Sequence, residues 1–168
     1  TAMIGTIVSA TDLPATVVVG SAVPTFGGSA TLRQGQELLV AETCEYRRHF
    51  LDFSPDVLIV TSVEADHLDY YRDYADVLQA FLSFARSLPP QGAMIYCADD
   101  AGAQDVARRI GEERPDIVRQ PYGFSVRGTG HVSEPIVESG CQRFTVTHAG
   151  GVVEWTVEIP GRHMVLDA

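Results

Sequence analysis

Carboxylates and a histidine follow two short apolar segments of this chain. Glu42 ends the first segment, Leu38–Ala41. The second segment, Val57–Val60, is followed by Glu64, Asp66, His67 and Asp69. Short runs rich in Val and Ile are typical of strands buried on both faces of a parallel sheet, and ligands bind beyond the carboxyl ends of such strands. Glu42 and His67 together would suit Mg²⁺ on a nucleotide, because phosphate and water supply the remaining ligands.

A structural interpretation of the same residues is equally open. Asp and His are common at helix starts, so Glu42 would cap a helix and His67 with Asp69 would begin the next one. The Gly-rich loop at residues 27–30, which contains Ser29, is able to approach a phosphate, although such loops are more often only turns. Asp99 and Asp100 fit an ordinary helix cap.

The composition narrows the class of protein. With 168 residues and 45% hydrophobic content, the chain is long enough for one domain with a core. A net charge of −10 argues against nucleic acid or an anionic membrane as a partner, and no apolar stretch approaches the ~20 residues that span a bilayer. Three widely spaced cysteines without a CxxC motif predict free thiols in a reducing cytoplasm. The chain has no lysine, which excludes a Walker-type or carbamylated lysine within it.

The elements that position these residues alternate between strand and helix over residues 1–120. Strand signals fall at residues 17–19, 38–41, 57–60, 94–96 and 117–118, and helix signals at 45–52, 74–88 and 101–110. Residues 121–160 instead alternate with period two, in segments 124–126, 131–137, 143–147 and 152–159. The pattern predicts a single α/β domain, a mostly parallel sheet flanked by helices with an antiparallel meander near the C-terminus.

Both ends of the chain look interrupted. The first residues, TAMIGTIVSA, have helical spacing without a cap before them, and residues 161–168 look like the start of a helix. We therefore expect the chain to be a piece of a longer protein.

Five motifs occur in a fixed order: VAETCEYRRHFLDFSP, VTSVEADHLDYY, YCADDAG, YGF and IPGRHMVLDA. Over nearly all 168 residues this order resembles the central, P-loop-NTPase-like domain of the Mur ligases, and among them the branch that adds L-alanine to UDP-N-acetylmuramate. The resemblance implies that ATP activates the muramoyl carboxylate as an acyl phosphate, and that the amine of L-alanine then displaces phosphate. Such chemistry depends on positioning and on charge neutralisation by Mg²⁺.

The resemblance also implies roles for individual residues. Glu42 and His67 match the catalytic pair that holds the second magnesium ion. His163, with Met164 and Asp167, matches the segment that lies against the adenosine. Asparagines usual in the family are replaced by Met164 and Asp167, and also by Ser62 and Cys97.

Parts of the family's active site lie outside this chain. The phosphate loop would come immediately before Thr1, and the N- and C-terminal domains are absent. We therefore expect the polypeptide alone to be inactive and to bind nucleotide weakly. The absence of lysine after His67 favours the L-alanine-adding branch. A tripeptide-recycling murein ligase, a folylpolyglutamate-type ligase and a non-catalytic binding module remain alternatives.

Overall fold

The computed structural model describes the chain from Thr1 to Ala168 and separates it into two units. The first unit comprises Thr1–Cys44 together with Ala168, and the second comprises Glu45–Asp167. Whether both units act as the single domain expected from the sequence stays a prediction.

A three-stranded mixed sheet forms the first unit. Its elements are α1 (Ala2–Ser9), β1 (Ala15–Val23), β2 (Ser29–Arg33) and β3 (Leu38–Ala41), with strand order β2-β1-β3. Strand β1 runs parallel to β3 but antiparallel to β2. The sequence interpretation of residues 27–30 as a loop was therefore partly wrong. Gly27 and Gly28 form the turn, with φ of 68° and 81°, and Ser29 already begins a strand.

A parallel sheet forms the centre of the second unit. After a 3₁₀ stretch at Tyr46–Asp52 come β4 (Val57–Val60), α2 (Tyr74–Arg86), β5 (Ala93–Cys97), α3 (Ala101–Glu113) and β6 (Val118–Tyr122). The strand order is β4-β5-β6, and both pairings are parallel. The order proceeds in one direction and both helices pack in the same core, so α2 and α3 lie on the same face of the sheet.

The main core lies between these helices and that face. Leu58, Val60 and Met94 point toward the helices and are buried with the apolar stripe of α2 and α3. On the other face of β4, Val57 is 52% exposed and Ile59 is 47% exposed. The expectation that this strand is buried on both faces was wrong, because both crossover helices cover only one of them.

An antiparallel meander completes the second unit. It consists of β7 (Ile136–Glu138), β8 (Cys141–His148) and β9 (Gly151–Val157), and a short helix α4 (Arg162–Asp167) follows. Residues 124–126, expected to be a strand, are not one. Before β7, only His131 and Val132 form isolated bridges, to Gly123 and Val146. The predicted α/β class, with a parallel sheet and an antiparallel meander near the C-terminus, is confirmed.

Two aspartates begin the long helices. Asp73 accepts the N–H of Asp76 at the start of α2, and Asp100 accepts the N–H of Ala103 at the start of α3. Since α2 begins at Tyr74, His67 does not begin that helix and lies in the preceding loop. No helix of the structure combines the length and the apolar character that crossing a membrane requires.

Candidate active site

The loop after β4 turns tightly at His67. The Glu64 carbonyl accepts the N–H of Asp66 at 2.9 Å, and the Asp66 carboxylate accepts the N–H of His67 at 2.6 Å. His67 has a φ of 54°, and its carbonyl accepts the N–H groups of Tyr70 and Tyr71 at 2.9 Å. A left-handed conformation is uncommon for a residue other than glycine, and such residues concentrate at functional sites.

The imidazole of His67 is held by the segment that begins the second unit. Its Nε2 lies 3.1 Å from Glu45 Oε1, and the Tyr46 ring packs against it with ring centroids 4.9 Å apart. The Tyr46 hydroxyl donates to Asp69 at 3.0 Å, so the same tyrosine also fixes the residue that follows the turn. Glu45 and Tyr46 therefore restrict both the position and the rotation of the His67 ring.

This arrangement fits a divalent cation. One ligand atom from each of Glu45, Asp66 and His67 lies within 4.8 Å of the others. The two carboxylate oxygens suit Mg²⁺ or Mn²⁺, and the imidazole nitrogen is a ligand that transition metals such as Zn²⁺ favour more strongly. Sequence reasoning had named His67 but had set Asp66 aside and had given Glu45 no role. The signal available for Glu45 was its position three residues after Glu42 in the same motif.

Glu42 and Ser29 both belong to the first unit. Glu42 follows β3, donates its N–H to Val18 at 2.9 Å and has an exposed side chain. A side chain at Gly20 would approach Glu42 Oε1 to 3.0 Å, so a small residue there leaves this carboxylate room. Ser29 begins β2, and its hydroxyl accepts the N–H of Thr31 at 2.9 Å. The pairing of Glu42 with His67 and the nucleotide role of Ser29 stay predictions.

A cleft of about 270 Å³ lies at the carboxyl ends of β4 and β5 and is lined by Thr61, Ser62, Glu64, Cys97, Asp99, Asp100, His163, Leu166 and Asp167. His163 and Asp167, both named from the sequence, thus meet Ser62 and Cys97 in one cavity. Met164 is half-buried, does not line the cleft, and donates its N–H to Gly161 at 3.0 Å.

The two aspartates after β5 are occupied by backbone donors. Asp100 Oδ1 accepts the N–H of Val63 at 3.1 Å in addition to that of Ala103. Asp99 accepts the N–H groups of Phe124 and Ser125. Burial opposes the ionisation of Asp99, but hydrogen bonds from Ser125 and Phe124 outweigh it and hold the pKa of this carboxyl below its usual value. Through these hydrogen bonds the two carboxylates connect the segments that follow β4, β5 and β6.

Helix α4 is attached to the cleft by contacts that sequence reasoning missed. The Gln142 side chain is 3% exposed and donates to the carbonyls of Ile159 and Gly161, at 2.6 and 2.9 Å. Arg162 forms a two-point ion pair with Glu134, at 2.7 and 2.9 Å. The same guanidinium lies 3.8 Å from the centroid of the Phe124 ring. The only sequence signal for this attachment was the arginine immediately before His163.

Cys97, which lines the cleft, is poorly reactive. Cys97 is buried, and burial raises the pKa of its thiol, which makes the thiol a weak nucleophile. Burial also raises the pKa of the neighbouring Tyr122, with the Cys97 and Asp167 charges acting in the same direction. Both groups are therefore neutral at physiological pH.

The cleft contains carboxylates and hydroxyls but no arginine among its lining residues. Such a site favours a ligand that offers hydrogen-bond donors, such as the amino group of a base or the hydroxyls of a sugar, over a polyphosphate. Its volume lies just below the usual range for small-molecule sites, so it would suit only part of a nucleotide, such as the nucleoside.

Comparison with known proteins supplies the family context. Residues 3–168 match the family model described as the Mur ligase middle domain. The UDP-N-acetylmuramate–L-alanine ligase of Treponema pallidum (strain Nichols) is 42% identical over 168 residues, which cover 100% of this chain and 34% of that protein. The chain thus spans about a third of the length of the curated relatives it matches.

Solved structures show the same fold. The UDP-N-acetylmuramate:L-alanyl-gamma-D-glutamyl-meso-diaminopimelate ligase from Neisseria meningitides superposes with a TM-score of 0.77 at 16% identity, covering 99% of this chain and 53% of that one. MurF ligase from Thermotoga maritima, in complex with ADP, superposes with a TM-score of 0.65 at 13% identity, covering 92% of this chain and 37% of that one.

Proposed function

Because the chain belongs to the Mur ligase middle-domain family, we propose that the complete protein is an ATP-dependent ligase that joins L-alanine to UDP-N-acetylmuramate in peptidoglycan precursor synthesis. The observation that supports this substrate choice most directly is the 42% identity, over the whole chain, to a ligase of that name. The N- and C-terminal domains of the complete protein would bind the uridine nucleotide and close the site. A cytoplasmic location forms part of the proposal.

The nucleoside end of ATP is assigned to the cleft. His163 and Asp167 line it from α4, and Met164, on the same helix, is proposed to contact the nucleoside as well. Asp167 provides only acceptor oxygens when ionised, so it would accept from the amino group of adenine or from a ribose hydroxyl. The phosphates would extend away from this acidic cleft and toward His67. The ADP complex of the Thermotoga maritima MurF ligase, which shares the fold, is consistent with a nucleotide site in this domain.

His67 and Glu42 are proposed to hold the magnesium ion, with Asp66 and Glu45 beside the imidazole. When bound, the ion supplies charge neutralisation at the γ-phosphate and at the acyl oxygen. The chain's own contribution is to orient His67. The hydrogen bond to Glu45 and the contact with Tyr46 restrict the ring.

The reaction itself then needs positioning more than covalent participation by the protein. The muramoyl carboxylate takes the γ-phosphoryl group of ATP, and ADP leaves. The amine of L-alanine attacks the acyl carbon, the carbon–oxygen bond to phosphate breaks, and the amine loses a proton. Holding the two substrates in this geometry accounts for much of the acceleration expected of such an enzyme.

The test is product formation by the complete protein. Incubation with Mg·ATP, UDP-N-acetylmuramate and L-alanine should give UDP-N-acetylmuramoyl-L-alanine by mass spectrometry, with one ADP and one phosphate per product. Omitting any one substrate should abolish phosphate release above background. The matched comparison replaces L-alanine with the tripeptide L-alanyl-γ-D-glutamyl-meso-diaminopimelate.

Each outcome separates one of the alternatives. Faster ligation of the tripeptide than of L-alanine would transfer the assignment to a recycling ligase. Glutamate addition to a folate would indicate the folylpolyglutamate type. No ligation with any of these acids and amines would support a binding module. Residues 1–168 alone should release no phosphate and should bind Mg·ATP more weakly than micromolar, as isothermal titration can measure.

A further inference from the structure

Arg47 stands out among the arginines of this acidic chain. The chain has 22 acidic and 12 basic residues, all of the latter arginine. Most of these arginines form an ion pair with a carboxylate, and the exceptions are Arg33, Arg47, Arg119 and Arg127. Arg119 donates to the Ala107 carbonyl at 3.3 Å, and Arg33 belongs to the first unit. In the second unit, Arg47 and Arg127 are therefore the exposed guanidinium groups without an ion pair or a side-chain hydrogen bond.

The backbone at Arg47 is unusual as well. Arg47 and Arg48 are consecutive residues in the left-handed region, with φ of 53° and 61°. Neither is glycine, so this conformation costs energy that contacts elsewhere must offset. The side chains of these two arginines have different surroundings. Arg48 bonds Asp76 at 2.7 Å and lies over the Tyr71 ring, whereas Arg47 lies over the Tyr46 ring at 5.4 Å.

Tyr46 connects Arg47 to the candidate active site. Its ring contacts both the guanidinium of Arg47 and the imidazole of His67. The other charged groups near His67 are the carboxylates of Glu45 and Asp66, which would repel an anionic substrate. Arg47 thus shares the Tyr46 ring with His67, and no carboxylate forms an ion pair with it. A guanidinium matches the paired oxygens of a carboxylate or a phosphate, and the contact with Tyr46 limits its freedom before it binds.

We infer that Arg47 binds the reacting carboxylate of the acid substrate and holds it beside His67. This role rests on the proposed function, because it takes the acid to be the substrate activated there. The γ-phosphate of ATP offers the same oxygen chemistry, so the two anions must be distinguished by experiment. No covalent step is assigned to Arg47.

Steady-state kinetics of the complete protein provide the test. For Arg47→Gln, the KM for UDP-N-acetylmuramate should rise roughly 10- to 100-fold, the loss expected for one charged hydrogen bond. The KM values for ATP and L-alanine should stay within about twofold, because those substrates lose no partner. Arg47→Lys should restore part of the affinity for the acid. The matched control is Arg127→Gln, which removes an equally exposed, unpaired arginine from another loop and should leave all three KM values unchanged.

Arg47→Gly separates binding from folding. Glycine adopts the left-handed conformation without strain, so this variant should be at least as stable as the wild type in urea while its KM for the acid rises as in Arg47→Gln. Unchanged KM for the acid in both variants would overturn the inference, and so would a rise confined to the KM for ATP. Absence of turnover in the wild type would instead contradict the proposed function, before any variant is compared.

Discussion

The loops that follow β4 and β5 contain similar residues but use them for different purposes. After β5, Asp99 and Asp100 accept N–H groups of Val63, Ala103, Phe124 and Ser125. After β4, Asp66 accepts the N–H of the next residue, Asp69 accepts the Tyr46 hydroxyl, and the His67 ring lies 3.1 Å from Glu45. One loop therefore holds the fold together, and the other presents a histidine.

The difference arises from the conformation of the chain directly after each strand. A helix begins immediately after Asp100, and its unpaired N–H groups are strong donors for a carboxylate within reach. After β4 the chain instead turns in the left-handed region at His67 and reaches α2 only at Tyr74. Acidic residues at strand ends thus become structural where a helix start supplies donors. Where no helix starts, their oxygens and the neighbouring imidazole remain available for a ligand.

Replacing His67 should have the largest of the predicted effects, and it should change activity rather than stability. His67→Asn in the complete protein removes the imidazole but keeps a residue that tolerates the left-handed conformation. Ligase turnover should fall roughly 10²-fold, as expected when a group that organises transition-state charge is lost. The free energy of unfolding should change by less than about 0.5 kcal/mol, as for an ordinary partly exposed position. Steady-state kinetics and urea denaturation measure the two quantities.

His49→Asn is the matched control for this prediction. His49 is exposed in the 3₁₀ stretch Tyr46–Asp52, close in sequence to Glu45, yet it has no side-chain hydrogen bond. Its replacement should leave turnover unchanged. If His67→Asn kept turnover within a few-fold of the wild type, the loop after β4 would have no catalytic role and the contrast between the two loops would disappear.

The sequence predicted the regular elements well, because their patterns are local. The bounds of β3 and β4 agree with the apolar runs, and α2 and α3 follow the helical spacing of their buried residues. Strand β2 was missed, since its first residues continue a Gly-Gly turn and no alternation marks them. Phe124 belongs to an apparent alternating segment, but its N–H bonds Asp99 and its ring lies under Arg162, so no strand forms there.

The candidate site was predictable only in part. His67, His163 and Asp167 were identifiable from motifs, and the structure brings the last two into one cleft. The contact between Glu45 and His67 depends on a left-handed backbone at a residue other than glycine, which no local pattern indicates. The same holds for Arg47. That Arg47 forms no ion pair with a carboxylate is visible only in the structure.

Removing the Asp100 carboxylate should destabilise the fold by an intermediate amount. Asp100→Ala deletes the cap of α3, worth about 1 kcal/mol, and leaves the Val63 N–H without its acceptor, which costs a similar amount. We expect a loss of about 2 kcal/mol in the free energy of unfolding, measured by urea denaturation.

Two further variants serve as controls for the stability loss expected of Asp100→Ala. Asp100→Asn keeps an acceptor that caps helices nearly as well, so its loss should be much smaller. Asp66→Ala removes a carboxylate from the other loop whose side chain is 77% exposed, and stability should change by less than about 0.5 kcal/mol. Equal losses in Asp100→Ala and Asp66→Ala would show that the two loops contribute alike to the fold.

The smallest effect should appear in the pH dependence of stability at Asp99. Burial alone would raise the pKa of this carboxyl, but hydrogen bonds from Ser125 and Phe124 outweigh it and lower the pKa in the folded state. A lowered pKa means that the stabilisation is complete above the unfolded pKa of about 3.9 and is lost as the pH falls through the folded value. The difference in unfolding free energy between the wild type and Asp99→Asn should therefore be constant near neutral pH and should shrink below about pH 4. If the difference in unfolding free energy instead stayed constant down to the most acidic pH that urea titrations reach, the negative charge of Asp99 would not contribute to stability.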